Sequence, residues 1–166
     1  MSKLYLILEN GMSFEGKGFG SEGDVTGEIV FTTGMTGYLE TLTDMSYHGQ
    51  IVLHTFPLIG NYGIIPSDFE SKSIGPLAYI VKTPCQAPSN FRSEGTLDTF
   101  LKEKGIVGLY GIDTRAVTKI IREYGVMNGR ITKQHPSEVS LEEIKAYRIN
   151  NAVENVSCKK PSYCKA

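Results

Sequence analysis

Strand-like segments come first along this chain and then alternate with helical ones. Residues 3–9 are rich in aliphatic and aromatic side chains and end at Asn10-Gly11. That dipeptide tolerates positive φ at both central positions, as a tight hairpin turn demands, so a returning strand is predicted over 12–19. Residues 20–27 are polar and glycine-bearing and read as a loop. A third strand follows over 28–33, with Ile29 and Phe31 facing one way and Val30 the other. Met35, Leu39 and Leu42 then recur at helical spacing, which predicts a short helix over 36–43. A loop over 44–49 leads into a buried strand over 50–55. Pro57, Gly60, Gly63 and Pro66 mark 57–73 as a long irregular excursion, of the kind that makes contacts or serves function in compact domains. A strand over 77–82 and a loop over 83–95 complete the first half.

The second half is more regular. Thr96 is a suitable N-cap for a helix over 97–104, with Leu97, Phe100 and Leu101 on one face and Gly105 as its stop. A strand is predicted over 106–110. Asp113 caps a helix over 114–124, whose Val117, Ile120, Ile121 and Tyr124 form an apolar stripe ended at Gly125. A short strand over 129–132 follows, and Ser140 with Glu143 makes a capping box ahead of a helix over 141–147. Residues 150–166 are polar and aperiodic. The domain is therefore placed at 1–150, with a linker or tail at 151–166. This order reads as an α/β chain (α+β by element order), with two sheets of different character, mixed parallel and antiparallel, and helices packed on one side.

Composition narrows the class. The 166 residues are 40% hydrophobic and 21% charged, which suits one domain with an ordinary core and excludes disorder. Seventeen basic against eighteen acidic residues give a net charge of −1, so no broad positive field for nucleic acid exists. Apolar runs such as 77–81 are strand-sized, far short of a membrane span. Glu9 and Asn10 interrupt the opening apolar stretch too soon for a signal peptide, which points to the cytoplasm. Cys85, Cys158 and Cys164 cannot all pair within one chain and read as reduced thiols.

Most candidate chemistry fails on context. Gly18-Phe19-Gly20-Ser21-Glu22-Gly23 has the letters of a dinucleotide fingerprint, but no helix follows to receive a pyrophosphate. The phosphate-loop near-match from Gly11 to Gly18 lacks the metal-binding hydroxyl. Cys158, Cys164 and His135 lack zinc-ligand spacing, so no metal is assigned. Cys85 has no glycine elbow around it. His48, His54 and His135 have no carboxylate orienter in sequence and read as surface or core imidazoles.

Specific text concentrates elsewhere. Leu8-Glu9-Asn10-Gly11 with Phe14-Glu15-Gly16 opens the chain. Gly34-Met35-Thr36-Gly37-Tyr38 runs on through Asp44, Ser46-Tyr47 and Gly49-Gln50. Pro57-Leu58-Ile59-Gly60-Asn61-Tyr62-Gly63 and Pro88-Ser89-Asn90-Phe91-Arg92 come next, and then Ile112-Asp113-Thr114-Arg115. In this order and spacing the blocks resemble the small subunit of glutamine-dependent carbamoyl-phosphate synthase, from about residue 4 to about residue 132.

The resemblance implies a three-layer β/β/α "swivelling" domain at the N-terminus of that subunit. In the family a class I glutaminase domain with a Cys nucleophile and a His–Glu pair follows. It passes ammonia to a large subunit that uses ATP with Mg to make carbamoyl phosphate for arginine and pyrimidine synthesis. Partners would be the large subunit, the glutaminase domain and glutamine. This domain itself would bind no cofactor, hold no catalytic residue and hydrolyse no glutamine alone. Ser46 corresponds to a serine that reaches substrate glutamine, and its hydroxyl can donate to a carboxylate or accept from an ammonium. Read without the resemblance, it is an ordinary loop serine. Met45 stands where the family usually has Pro, so the Ser46 loop is expected to be less stiff. Asp113 is expected to cap its helix, and Arg115 to meet an interface or an internal salt bridge. The rival reading is a stand-alone nucleotide or small-molecule module, with a pocket built from 18–23 and 57–73. A structural homologue without such a partner is a third possibility.

Overall fold

A computed structural model describes residues 2–160. The chain opens with β1 (Lys3–Leu8), β2 (Ser13–Gly20) and β3 (Val25–Thr32), then α1 (Tyr38–Thr43) and a 3-10 turn at Met45–Tyr47. Next come β4 (Gln50–His54), β5 (Leu58–Ile59), a second 3-10 turn at Pro66–Asp68, β6 (Ala78–Val81) and β7 (Thr83–Pro84). The second half holds α2 (Leu97–Glu103), β8 (Val107–Tyr110), α3 (Thr114–Tyr124), β9 (Met127–Thr132), a 3-10 turn at Pro136–Glu138, α4 (Leu141–Ala146) and α5 (Ala152–Val156).

The fold is mixed α/β, with both parallel and antiparallel pairings. The strands close into a seven-stranded barrel in the order β1-β2-β8-β6-β4-β3-β9, and β5 pairs with β7 in a small parallel sheet. Where two sheets of different character were expected, the main strands instead close into one barrel, because β9 pairs with both β1 and β3 and β2 pairs with β8. β3, β4, β6 and β8 pair in parallel; β1, β2 and β9 pair antiparallel and join that wall at both ends.

Strand alternation sorts the side chains. Leu4, Leu6 and Leu8 of β1 meet Ile29, Ile51, Leu53, Ile80, Leu109 and Ile131 in one inner cluster, to which α3 adds Val117 and Ile121. Val52, Tyr79 and Val81 face the other way, against Tyr38, Leu39 and Leu42 of α1 and Leu97, Phe100 and Leu101 of α2. Phe31 packs with Ile29 on the inner side and Val30 on the outer, as the alternation predicts. The glycines of β2 answer to this geometry. A Cβ on Gly16 would lie 2.6 Å from the Tyr110 carbonyl oxygen and 2.8 Å from Ile112, so no side chain fits there.

Local signals were realised unevenly. Thr96 accepts from Thr99 N–H and Asp113 accepts from Ala116 N–H, each capping its helix. Among the described non-glycine residues only Asn151 has positive φ, so Asn10 does not occupy a turn with two positive-φ positions. Instead Gly11 alone turns left-handed (φ 87), its N–H bonds to the Leu8 carbonyl, and Asn10 Oδ1 accepts from Met12 N–H. Ser140 makes no side-chain cap, and the Glu143 carboxylate pairs with Arg130 at 3.0 Å, so the capping box is not formed. Tyr124 is exposed, since the last turn of α3 runs past the core. Met35 lies before α1 and is 72% exposed, so it is no part of the helix stripe. The tail holds a short helix, α5, with exposed Val153.

Candidate functional site

Ser46 lies at the centre of the turn between α1 and β4. Asp44 accepts the Ser46 N–H on its carboxylate at 2.8 Å, and two further backbone bonds (Tyr47 N–H to Asp44, His48 N–H to Met45) complete the 3-10 turn. This Asx-type contact ties the Ser46 N–H to the residue that opens the turn. The Ser46 side chain is exposed, and its hydroxyl has no partner among the described residues. It is free to meet a ligand.

The exit of the turn is held from a distance. Gly49 adopts φ 80, in the left-handed region that favours glycine. Its carbonyl accepts the Tyr147 O–H at 2.8 Å. Tyr147 belongs to the segment after α4, which crosses a polar cleft of about 570 Å³ lined by Glu9, Glu28 and Asn128. Asn128 Nδ2 donates to the Tyr147 carbonyl at 3.2 Å and pins the segment to β9. Burial first, and the nearby Glu28 carboxylate second, push the Tyr147 phenol up from its ordinary value, so it stays a donor.

A second polar construction joins blocks far apart in sequence. His54 is buried, with Nε2 at 2.7 Å from the Gly34 carbonyl and Nδ1 at 2.6 Å from the Tyr79 hydroxyl. A carbonyl only accepts, so Nε2 carries the proton and Nδ1 accepts from Tyr79. Burial lowers the pKa of His54 below the ordinary histidine value, despite the opposing Gly34 carbonyl. Nearby, the Tyr62 hydroxyl accepts from the N–H groups of Gly37 and Tyr38, and the Tyr38 hydroxyl donates to Gly63. The two rings stack at 4.2 Å. These residues hold Gly34–Tyr38 against the excursion, and no reactive group is exposed by it.

Asp113 is engaged in its cap. Arg115 is exposed and forms no internal salt bridge among the described residues, because α3 turns that face to solvent and no carboxylate approaches. Among the described residues no hydrogen bond or ion pair joins either residue to the Ser46 turn. Cys85 and Cys158 are free thiols, and Cys164 lies outside the described residues. No group of three or more His, Cys, Asp or Glu gathers into a metal site among the described residues. Nor is any described helix long and apolar enough to cross a membrane. Gly18 and Gly20 lie in β2, paired to β8, with no helix after them. The 57–73 excursion does not line a pocket with 18–23; its Ile59, Ile64 and Ile65 pack in the outer core instead. Sequence reasoning missed Tyr147, Asn128 and the His54–Tyr79 pair. No local pattern marks them, because each partner is more than 15 residues away.

Residues 6–131 match the family model described as "Carbamoyl-phosphate synthase small chain, CPSase domain". The chain belongs to this family. It is 51% identical over 156 residues to the carbamoyl phosphate synthase small chain of Clostridium perfringens, covering 93% of this chain and 45% of that protein. It is 54% identical over 142 residues to the carbamoyl phosphate synthase pyrimidine-specific small chain of Halalkalibacterium halodurans, covering 86% and 38%. This small-chain domain thus spans about two-fifths to one-half of the length of the curated relatives it matches. Among solved structures, an aminopeptidase from Aneurinibacillus sp. strain AM-1 aligns with TM-score 0.43 and 20% identity over 80% of this chain and 31% of that one. That likeness is too loose to bear on fold or function.

Proposed function

We propose that this chain is the N-terminal docking and structural domain of the small subunit of a glutamine-dependent carbamoyl-phosphate synthase. In the complete enzyme a glutaminase domain of the same subunit hydrolyses glutamine in the cytoplasm. The ammonia passes to a large subunit, where ATP with Mg drives carbamoyl phosphate synthesis for arginine and pyrimidine production. The domain described here holds the glutaminase domain against the large subunit and supplies the Ser46 hydroxyl to the rim of the glutamine site. It contributes no nucleophile. Within this reading the barrel is a flattened one: the antiparallel wall, the parallel wall and α1 with α2 outside it make the three layers of the β/β/α "swivelling" arrangement.

The family match over residues 6–131 supports this reading. The test is direct. Purified chain is mixed with purified carbamoyl-phosphate synthase large subunit, and the complex is sought by size-exclusion chromatography. Glutaminase activity is then assayed on the chain alone. A stable complex and no ammonia release are expected. No complex, together with a thermal shift on adding ATP or NAD, overturns docking in favour of a small-molecule module.

A further inference from the structure

We propose that Tyr147 and Ile149 are positioning residues for the Ser46 turn, and that they couple it to the chain beyond α4. The proposal rests on Ser46 meeting glutamine. A hydroxyl that binds a ligand has to be held within about 0.5 Å of its productive place. Asp44 does this for the entry to the turn. At its exit, His48 and Gly49 take their contacts from residues about a hundred positions later.

Three separate contacts make the connection. Tyr147 donates its hydroxyl to the Gly49 carbonyl at 2.8 Å. Ile149 packs on the bare Cα of Gly49 so closely that a Cβ there would lie 2.9 Å from Ile149 Cγ1. Asn155 of α5 places Nδ2 3.4 Å from His48 Nε2. All three fall on the two residues directly after the Met45–Tyr47 turn. The strap that bears them is itself tied to the barrel through Asn128, whose side chain reaches the carbonyls of Lys145 and Tyr147 and whose N–H reaches Glu9 Oε2. Between those anchors lies the polar cleft, not packed core. A displacement of the strap is therefore passed to Gly49, and through it to Ser46, with little else to absorb it. Glycine is required at 49 twice over: for its left-handed backbone, and for the room Ile149 occupies.

The experiment uses the complete small subunit assembled with its large subunit, assayed with glutamine and separately with ammonia. Tyr147→Phe keeps the ring and deletes the donor. It should raise the glutamine KM about threefold to tenfold and leave ammonia-dependent activity, which bypasses the glutamine site, unchanged. Ser46→Ala should also raise the glutamine KM, and the double variant should be no worse than Ser46→Ala alone, because both act through one hydroxyl. Ile149→Ala, which loosens the packing on Gly49, should follow Tyr147→Phe and serves if that variant does not assemble. A wild-type KM in both strap variants while Ser46→Ala is impaired overturns the coupling. So does full additivity in the double variant. An unchanged KM in Ser46→Ala overturns the underlying reading of Ser46, and the coupling with it.

Discussion

Inside the barrel, Leu53 is fully out of water and surrounded by apolar side chains from the other strands and α3. At the rim, Ser46 stands exposed on a three-residue turn held by an aspartate, a few backbone bonds and a distant tyrosine. The first region is secured by non-directional burial, which many similar side chains could supply. The second is secured by a few directional bonds, each irreplaceable by packing. Between them lies the His54–Tyr79 pair, polar in chemistry yet buried like core. The difference shows where stability and positioning are separately stored: truncation should hurt most in the interior, and geometry should matter most at the rim.

Leu53→Ala is the strongest challenge to this contrast. It should lower unfolding free energy by about 2–5 kcal/mol, by lost transfer energy plus a cavity, measured by urea denaturation. A loss under about 1 kcal/mol would mean that the barrel interior is not the seat of stability. The intermediate region is probed by Tyr79→Phe, which strands the buried Nδ1 of His54 without a donor and should cost about 1–3 kcal/mol. The same imidazole sets a pH dependence. Its folded pKa lies below the unfolded value of 6.5, so the unfolded chain takes up the proton first. Stability is full above about pH 6.5 and falls as pH drops toward the folded pKa. Denaturation from about pH 7.5 down to about pH 5 should show that decline, and a flat profile would contradict a neutral buried His54.

The smallest effect belongs to the rim, and it has the opposite sign. Met45 is the first residue of its 3-10 turn, its N–H has no partner among the described residues, and Asp44 before it is extended (φ −81, ψ 114). That is a backbone ready for proline. Met45→Pro should therefore stabilise by about 0.4–1 kcal/mol, through a less free unfolded chain. A destabilised Met45→Pro would show that the turn relies on a different geometry.

Much of the fold was legible because its signals are local. Thr96, Asp113 and the terminating Gly105 and Gly125 act within one turn of their helices, and Ile29, Val30 and Phe31 alternate as a strand must. Closure of the barrel was not legible, since the pairing of Leu6 with Ile131 or of Lys17 with Tyr110 spans most of the chain and leaves no periodic trace. The glutamate half of the Ser140–Glu143 box was lost to a remote cation, Arg130. Of the candidate site, Ser46 was visible only through family resemblance. Tyr147, which bonds Gly49 at the exit of that turn, was read only as the last residue of a helix over 141–147, and nothing local pointed to a contact 98 positions away.

The seam made by β9 has a consequence for biogenesis. That strand lies between β1 and β3, antiparallel to both, and residues 127–132 supply it. Until the ribosome has released them, β1 and β3 each present an unsatisfied edge, open to wrong partners. The last stave of the barrel in chain order is thus the one that seals the vessel.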